Sequence, residues 1–208
     1  MSRRLHSPEL AAIEVDGMTR SAFLLRGTLA AGALYGAGAV APFVSSALAQ
    51  TTSGDVNILN FAYGLEQLES AFYKAALANA KLQGKMKALA TEFGKHEDEH
   101  VSILEQTIRE LGSSPQKAPK LTFGLTDQAS FLRTAIQLED LGVGAYNGAA
   151  AQLTSKDLLN AAAGIVQTEA RHAAALRFRA GQPPAPAAFD PGLSTAQVVA
   201  AVRKYTGG

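Results

Sequence analysis

From residue 55 onward, apolar side chains recur every three or four positions in long runs, which is the period of an α-helix. The first run, Asp55 to Asn79, puts Leu59, Ala62, Glu66, Glu69, Tyr73 and Ala76 on one stripe. A turn around Gly84 leads into a second run, Lys85 to Leu111, which Gly112 can end as a left-handed cap. Thr126 or Asp127 can cap a third run that ends near Leu153, and Ser155 a fourth that Gly181 stops ahead of Pro183-Pro184. Pro184 to Leu193 reads as a surface arm. Ser194 then caps a short helix through Val202, with Val198, Val199 and Val202 as its apolar face. The pattern predicts an all-α bundle of four long helices with a C-terminal arm and short helix.

The link between the second and third helices decides the topology. Residues 113 to 126 contain Pro115 and Pro119 and show no helical period. Extended, such a link reaches about 46 Å, whereas a helix as long as the second spans about 40 Å. The link can therefore run the full length of the bundle, while the other two connections are tight. The expected arrangement is hairpin, long crossover, hairpin. Gly142, Gly144 and Gly148 are unusual inside the third helix, where each costs about 1 kcal/mol relative to Ala. They point to close backbone approach or to space left open.

The polar residues on the apolar stripes carry the chemistry. Glu97-Asp98-Glu99-His100 and Glu169-Ala170-Arg171-His172 each set a carboxylate and an imidazole at i and i+3, on one helix face. Upstream, Leu65-Glu66-Gln67-Leu68 precedes Phe72-Tyr73, and Leu138-Glu139-Asp140-Leu141 precedes Ala145-Tyr146. Glu66 lies 31 residues before Glu97, and Glu139 lies 30 before Glu169. The chain thus reads as two duplicated helical hairpins, each with one Glu and one Glu-x-x-His. Four inward carboxylates are costly in a core unless neutralised, and two divalent ions would supply the matching charge. Glu66, Glu97, His100, Glu139, Glu169 and His172 are therefore the candidate metal ligands. Oxygen and imidazole donors suit Fe, Mn or Zn.

Three further residues are candidates for catalysis. Tyr73 and Tyr146 each follow their Glu by seven residues, about 10.5 Å along the same face. They read as hydrogen-bond donors behind the ligands, as redox relays, or as buried tyrosines with satisfied hydroxyls. Glu69 lies one turn beyond Glu66, and the repeat equates it with Gly142. It reads as a fifth site carboxylate facing the gap at Gly142, or as a partly exposed edge residue. His96 lies one turn before His100 but off the face centre, where a surface or supporting position is expected.

Composition narrows the classes. The 208 residues hold 19 Lys and Arg against 18 Asp and Glu, a formal net charge of +1, which gives no nucleic-acid stripe and no polybasic membrane patch. With no cysteine, thiolate metal sites, iron–sulfur clusters and disulfides are excluded. Residues 1–49 read as an export signal. Thr19-Arg20-Ser21-Ala22-Phe23-Leu24-Leu25-Arg26 precedes a charge-free stretch to about Leu48, and Ala47-Leu48-Ala49 fits a small-x-small cleavage site. The segment resembles a twin-arginine leader, with Ser21 where the second Arg would stand and Met18 as an alternative start. An uncleaved membrane anchor is the competing reading. Residues 50–182 are then the bundle and 183–208 the arm and short helix, with a periplasmic, cell-wall or extracellular location and no membrane anchor after cleavage.

Asn60-Phe61-Ala62 leading to Leu65-Glu66-Gln67-Leu68-Glu69-Ser70-Ala71-Phe72-Tyr73 resembles the opening helix of the ferritin-like superfamily's exported, desiccation-related branch. Ala188-Phe189-Asp190 and the Ser194 segment resemble that branch's C-terminal arm. The similarity covers nearly all of residues 55 to 204. It implies a ferritin-like four-helix bundle with a dinuclear centre and places the six ligand roles on the residues named above. Superfamily members include ferroxidases, peroxidases, manganese catalases and oxygenases, so no one substrate is implied. The expectation is a di-iron or di-manganese protein acting on Fe(II), oxygen or peroxide, with a homodimer as its assembly. The alternative is a non-catalytic stress or metal-sequestering protein.

Overall fold

The computed structural model describes residues 14–15, 18–19 and 53–206 of the chain. The chain divides into two units, Met1–Ser45 and Ser46–Gly208. In the first, β1 (Glu14–Val15) pairs antiparallel with β2 (Met18–Thr19), Glu14 opposite Thr19 and Val15 opposite Met18. The rest of the expected export signal, with its apolar stretch and cleavage site, lies outside the described residues. Among the described residues, no helix is long and apolar enough to cross a membrane.

Among the described residues of the second unit the regular elements are all helices: α1 (Ser53–Asn79), α2 (Gly84–Glu110), α3 (Gln128–Ala150), α4 (Lys156–Arg179) and α5 (Thr195–Val202), followed by a 3₁₀ turn at Arg203–Tyr205. Local chemistry sets the ends. Asp127 caps α3 by accepting from the Ser130 N–H, and the Ser130 hydroxyl returns to the cap backbone. Ser155 caps α4 through the Leu158 N–H, and Ser194 caps α5 through the Gln197 N–H. Gly112 and Gly181 follow α2 and α4 with φ of +74° and +72°, a conformation that glycine adopts without a Cβ penalty. The helix α3 stops at Ala150, earlier than the expected Leu153. There the Thr154 N–H and hydroxyl turn to the buried Asp55 carboxylate at 2.7 and 2.5 Å, tying the α3–α4 loop to the start of α1.

The bundle pairs α1 with α2 and α3 with α4, and the two hairpins face each other. The crossover runs along α1. Near its start, the Gln116 N–H donates to Asn60 Oδ1 and the Ala118 N–H to Gln67 Oε1, both at 3.0 Å. Near its end, Phe123 packs edge-on against Phe72. It thus carries the chain from the end of α2 to the opposite end of the bundle, so α3 runs antiparallel to α1. This is the hairpin–crossover–hairpin arrangement of a ferritin-like four-helix bundle.

The apolar interior is split in two. One cluster holds Leu68, Phe72, Tyr73, Phe131, Leu176 and Tyr205; the other holds Leu59, Tyr63, Leu104, Ile108, Leu158 and Ile165. Between them lies a layer of buried carboxylates. A third, smaller cluster joins Leu65 and Ala145 to Val198 of α5, whereas Val199 is exposed.

Candidate metal centre

Each of the four long helices sends a carboxylate into the central layer. Glu66 of α1, Glu97 of α2, Glu139 of α3 and Glu169 of α4 are all at most 1% exposed. His172 is buried, and His100 retains slight exposure. The i, i+3 spacing brings His100 beside Glu97 and His172 beside Glu169 on the inner face of their helices. Ligand atoms of Glu66, Glu97, His100 and Glu169 lie within 4.8 Å of one another, and so do those of Glu97, Glu139, Glu169 and His172. All six predicted ligand residues are therefore brought together, and Glu97 and Glu169 belong to both groups.

The contacts follow an approximate twofold axis. His100 Nδ1 faces Glu66 Oε2 at 3.1 Å, Glu97 Oε2 at 3.0 Å and Glu169 Oε1 at 3.2 Å. His172 Nδ1 faces Glu97 Oε1 at 3.0 Å and Glu139 Oε2 at 3.2 Å. The two oxygens of Glu97 thus point one to each imidazole, as a carboxylate joining two sites would. A single Nδ1–H cannot serve three acceptors well. Donor atoms held about 2.1 Å from one ion at right angles stand about 3 Å apart, so the spacings fit a coordination shell better than a hydrogen-bond set.

Unmet hydrogen-bonding capacity supports the fit. Glu69 Oε2 and Glu169 Oε2 are buried and accept no hydrogen bond among the described residues, while Glu97 Oε1 and Glu169 Oε1 have only a shared histidine nitrogen near them. Buried carboxylate oxygens without donors are expensive, and a cation is the natural complement to an acceptor-only cage. Protonation follows from the same crowding. Burial, then the charge of Glu169, raises Glu66 to about 8. Burial foremost also raises Glu139 and Glu169, each reinforced by Glu97. Glu97 goes the other way: burial pushes it up, but His100 and His172 outweigh that and hold it at about 2. His100 is pulled down by burial and lifted far more by the carboxylates of Glu169, Glu66 and Glu97.

The tyrosines cross between hairpins. Tyr73 of α1 donates to Glu139 of α3, and Tyr146 of α3 donates to Glu66 Oε1 of α1 at 2.5 Å. Burial foremost, then those carboxylates, raises both phenols, so they stay neutral donors at pH 7. Glu69 is 3% exposed and faces the gap at Gly142. A Cβ at Gly142 would stand 3.1 Å from Glu69 Oε1 and 3.3 Å from Glu169 Oε2, so the missing side chain leaves room between those two carboxylates. Burial, followed by Glu169, Glu66 and Glu139, raises Glu69 well above the usual carboxylate range.

Sequence reasoning set His96 at the margin, and the structure places it in the layer beside the ligands. His96 Nδ1 lies 2.9 Å from His172 Nε2, and Phe93 stacks on the His172 ring at 3.9 Å between centres. The partnership joins helices 76 residues apart, which helical period alone does not reveal.

A four-helix bundle with four inward carboxylates and two imidazoles, arranged as two overlapping ligand groups, defines a class of helical proteins with a core able to hold metal. Residues 54–182, more than half of the chain, match the ferritin-like domain, and the chain belongs to the ferritin-like family. No curated protein matches it.

Proposed function

We propose that the chain is an exported two-metal oxidoreductase, with iron or manganese held by Glu66, Glu97, His100, Glu139, Glu169 and His172, that consumes peroxide or oxygen or oxidises Fe(II). The observation that carries this reading is the pair of four-residue groups sharing Glu97 and Glu169. Glu66 and His100 would hold one ion, Glu139 and His172 the other, and the shared carboxylates would join them. When bound, two such ions would supply electron exchange with a small oxygen species.

The chain's own residues prepare that site. Tyr73 and Tyr146 hold Glu139 and Glu66 by hydrogen bonds from the opposite hairpin, which fixes each terminal carboxylate against rotation. The apolar clusters on either side exclude bulk water from the layer. Glu69 would be the proton reservoir. The four ligand carboxylates already balance two divalent ions, so a fifth must carry a proton to remain buried. Its Oε2, met by no donor among the described residues, borders the gap at Gly142, where it can exchange a proton with water or peroxide.

The test is elemental analysis of protein folded in its own host, followed by oxygen evolution from peroxide and Fe(II) oxidation by the Fe- and Mn-loaded chain. About two ions per chain with turnover in either assay supports the proposal; no bound transition metal overturns it. Two ions without turnover make the chain a metal-sequestering protein instead. The Glu69→Gln variant, which mimics the protonated acid, is expected to keep two ions while losing about tenfold or more in turnover. Unchanged turnover would remove Glu69 from the mechanism.

A further inference from the structure

Resting on the two-metal reading, we infer that His96 is a positioning residue that fixes the tautomer of His172 and makes the Glu139/His172 half of the centre the tighter of two unequal ion sites. The geometry is that of an imidazole–imidazole hydrogen bond. The N···N distance is 2.9 Å, the rings are within 7° of coplanar, and their centres are 5.2 Å apart. Rings stacked face to face would have much closer centres. A separation of 5.2 Å with nearly parallel planes is what two imidazoles reach edge to edge in one plane, sharing a proton between facing nitrogens.

The direction of the bond follows from what surrounds each ring. His172 Nδ1 points at Glu97 Oε1 and Glu139 Oε2, where a lone pair is needed to bind an ion. Its proton must then sit on Nε2, which donates to His96 Nδ1. His96 Nδ1, 2.9 Å away in the same plane, is placed to accept that proton through its ring lone pair. His96 also lies in the wall of an open surface groove shared with Lys87, Thr91 and Glu99, where water can solvate its outer edge. Phe93 covers the face of His172 and restrains the ring plane. A partner on the remote nitrogen of a ligating imidazole sets its tautomer, its orientation and its basicity.

The other half of the centre is built differently. The repeat that equates His100 with His172 equates His96 with Thr168. The Thr168 hydroxyl donates to the Gly164 carbonyl at 3.2 Å and accepts from Arg171 Nη2 at 2.8 Å. It is committed within its own helix. The two hairpins therefore present the same ligands with different support, and the ions they hold cannot be equivalent.

Two measurements test this. In ¹⁵N spectra of the Zn(II)-loaded chain, a scalar coupling across the His172 Nε2–H···Nδ1 bond to His96 is expected in the wild type and absent in His96→Phe, which keeps the ring packing but removes the acceptor; its absence from the wild type overturns the inference. Stepwise Mn(II) titration of the wild type is expected to give two unequal steps, the tighter one surviving His100→Ala and lost in His172→Ala. His96→Phe should weaken that step about 10- to 100-fold and leave the other unmoved, with His96→Gln restoring part of the loss. A tighter step that belongs to the His100 half, or an equal loss at both steps, overturns the inference while the two-metal reading stands. Failure of the folded wild type to bind any ion overturns both, and elemental analysis of host-folded protein identifies that case.

Discussion

Loading the metal-free chain with two divalent ions must expel protons, and the charges in the carboxylate layer say how many. Burial foremost raises Glu66 to about 8, so it holds its proton at pH 7, and shifts Glu69, Glu139 and Glu169 in the same direction. Glu97, held at about 2, is ionised, and His100, raised by three carboxylates, is cationic. With the raised acids protonated, these groups together are neutral: one carboxylate against one imidazolium. Two ions bring four positive charges. Glu66, Glu139, Glu169 and His100 must each surrender a proton to become ligands, whereas Glu69 can keep its own. The exchange is about four protons for two ions. By linkage, the overall two-ion binding constant should rise about 10⁴-fold per pH unit near neutrality, two decades per ion. Calorimetric titration with Mn(II) at pH 7, in buffers of different ionisation enthalpy, reads the proton number from the slope of heat against that enthalpy. At pH 9 the count should fall toward three, since Glu66 has already lost its proton. A count of zero or one at pH 7 would refute the reasoning, because it would mean that the buried carboxylates are already ionised before metal arrives.

The same shifts give the metal-free chain an inverted pH profile. Acids whose folded values are raised stabilise the fold below their unfolded value near 4.5 and lose that contribution as pH climbs toward the folded values, so the chelated protein should melt lower at pH 8 than at pH 5.5. The metal-loaded protein should show the reverse order, and thermal scans with and without chelator at both pH values decide it. Tyr146→Phe leaves Glu66 Oε1 buried without its donor and should cost about 1–3 kcal/mol by denaturant titration; a variant as stable as the wild type would show that bond to be dispensable. Two glycines should respond with opposite signs. A Cβ at Gly148 would fall 1.9 Å from the Leu193 carbonyl oxygen, so Gly148→Ala must push the arm off α3 and lose about 1–3 kcal/mol, whereas at Gly64 nothing lies within 4 Å and Ala should gain about 0.5–1 kcal/mol. A Gly148→Ala chain that melts above the wild type would contradict the docking of the arm.

Helix ends and the six residues of the inner layer were legible because both are written locally. Asp127, Ser155 and Ser194 cap the helices that follow them through N–H groups three residues on. The Glu-x-x-His pair is likewise a property of one helix face, and its repetition at matched distances singled out six residues from a background of surface carboxylates. What could not be read was which helix each interior residue would meet. The three glycines of α3 signalled close approach without saying by what. Gly142 turns out to face Glu69 and Glu169, whereas Gly144 and Gly148 receive Leu193 of the arm. His96 shares its helix with Glu97 and His100, yet its partner is on α4. Such contacts depend on the rotation of whole helices about their axes, and a period of 3.6 residues specifies that only to within a face.

The duplication also explains why the site is symmetric where its covering is not. Positions that match between the halves, Glu66 with Glu139, Tyr73 with Tyr146 and His100 with His172, build the ligand cage and its crossed hydrogen bonds. Positions that differ serve what only one half must do. On α1, Asn60 and Gln67 clamp the crossover through Gln116 and Ala118. On α3, Gly144 and Gly148 replace Ala71 and Ala75 and admit the arm so closely that the Leu193 N–H reaches the Gly144 carbonyl at 2.7 Å. The arm then turns into α5, whose Val198 seals Leu65 and Ala145 behind the carboxylate layer. A chain with glycines at 71 and 75 as well would leave α1 unfilled, since the crossover holds that helix by side-chain amides and not by backbone contact. The repeat thus carries the cage, and its departures carry the two different lids that keep water from it.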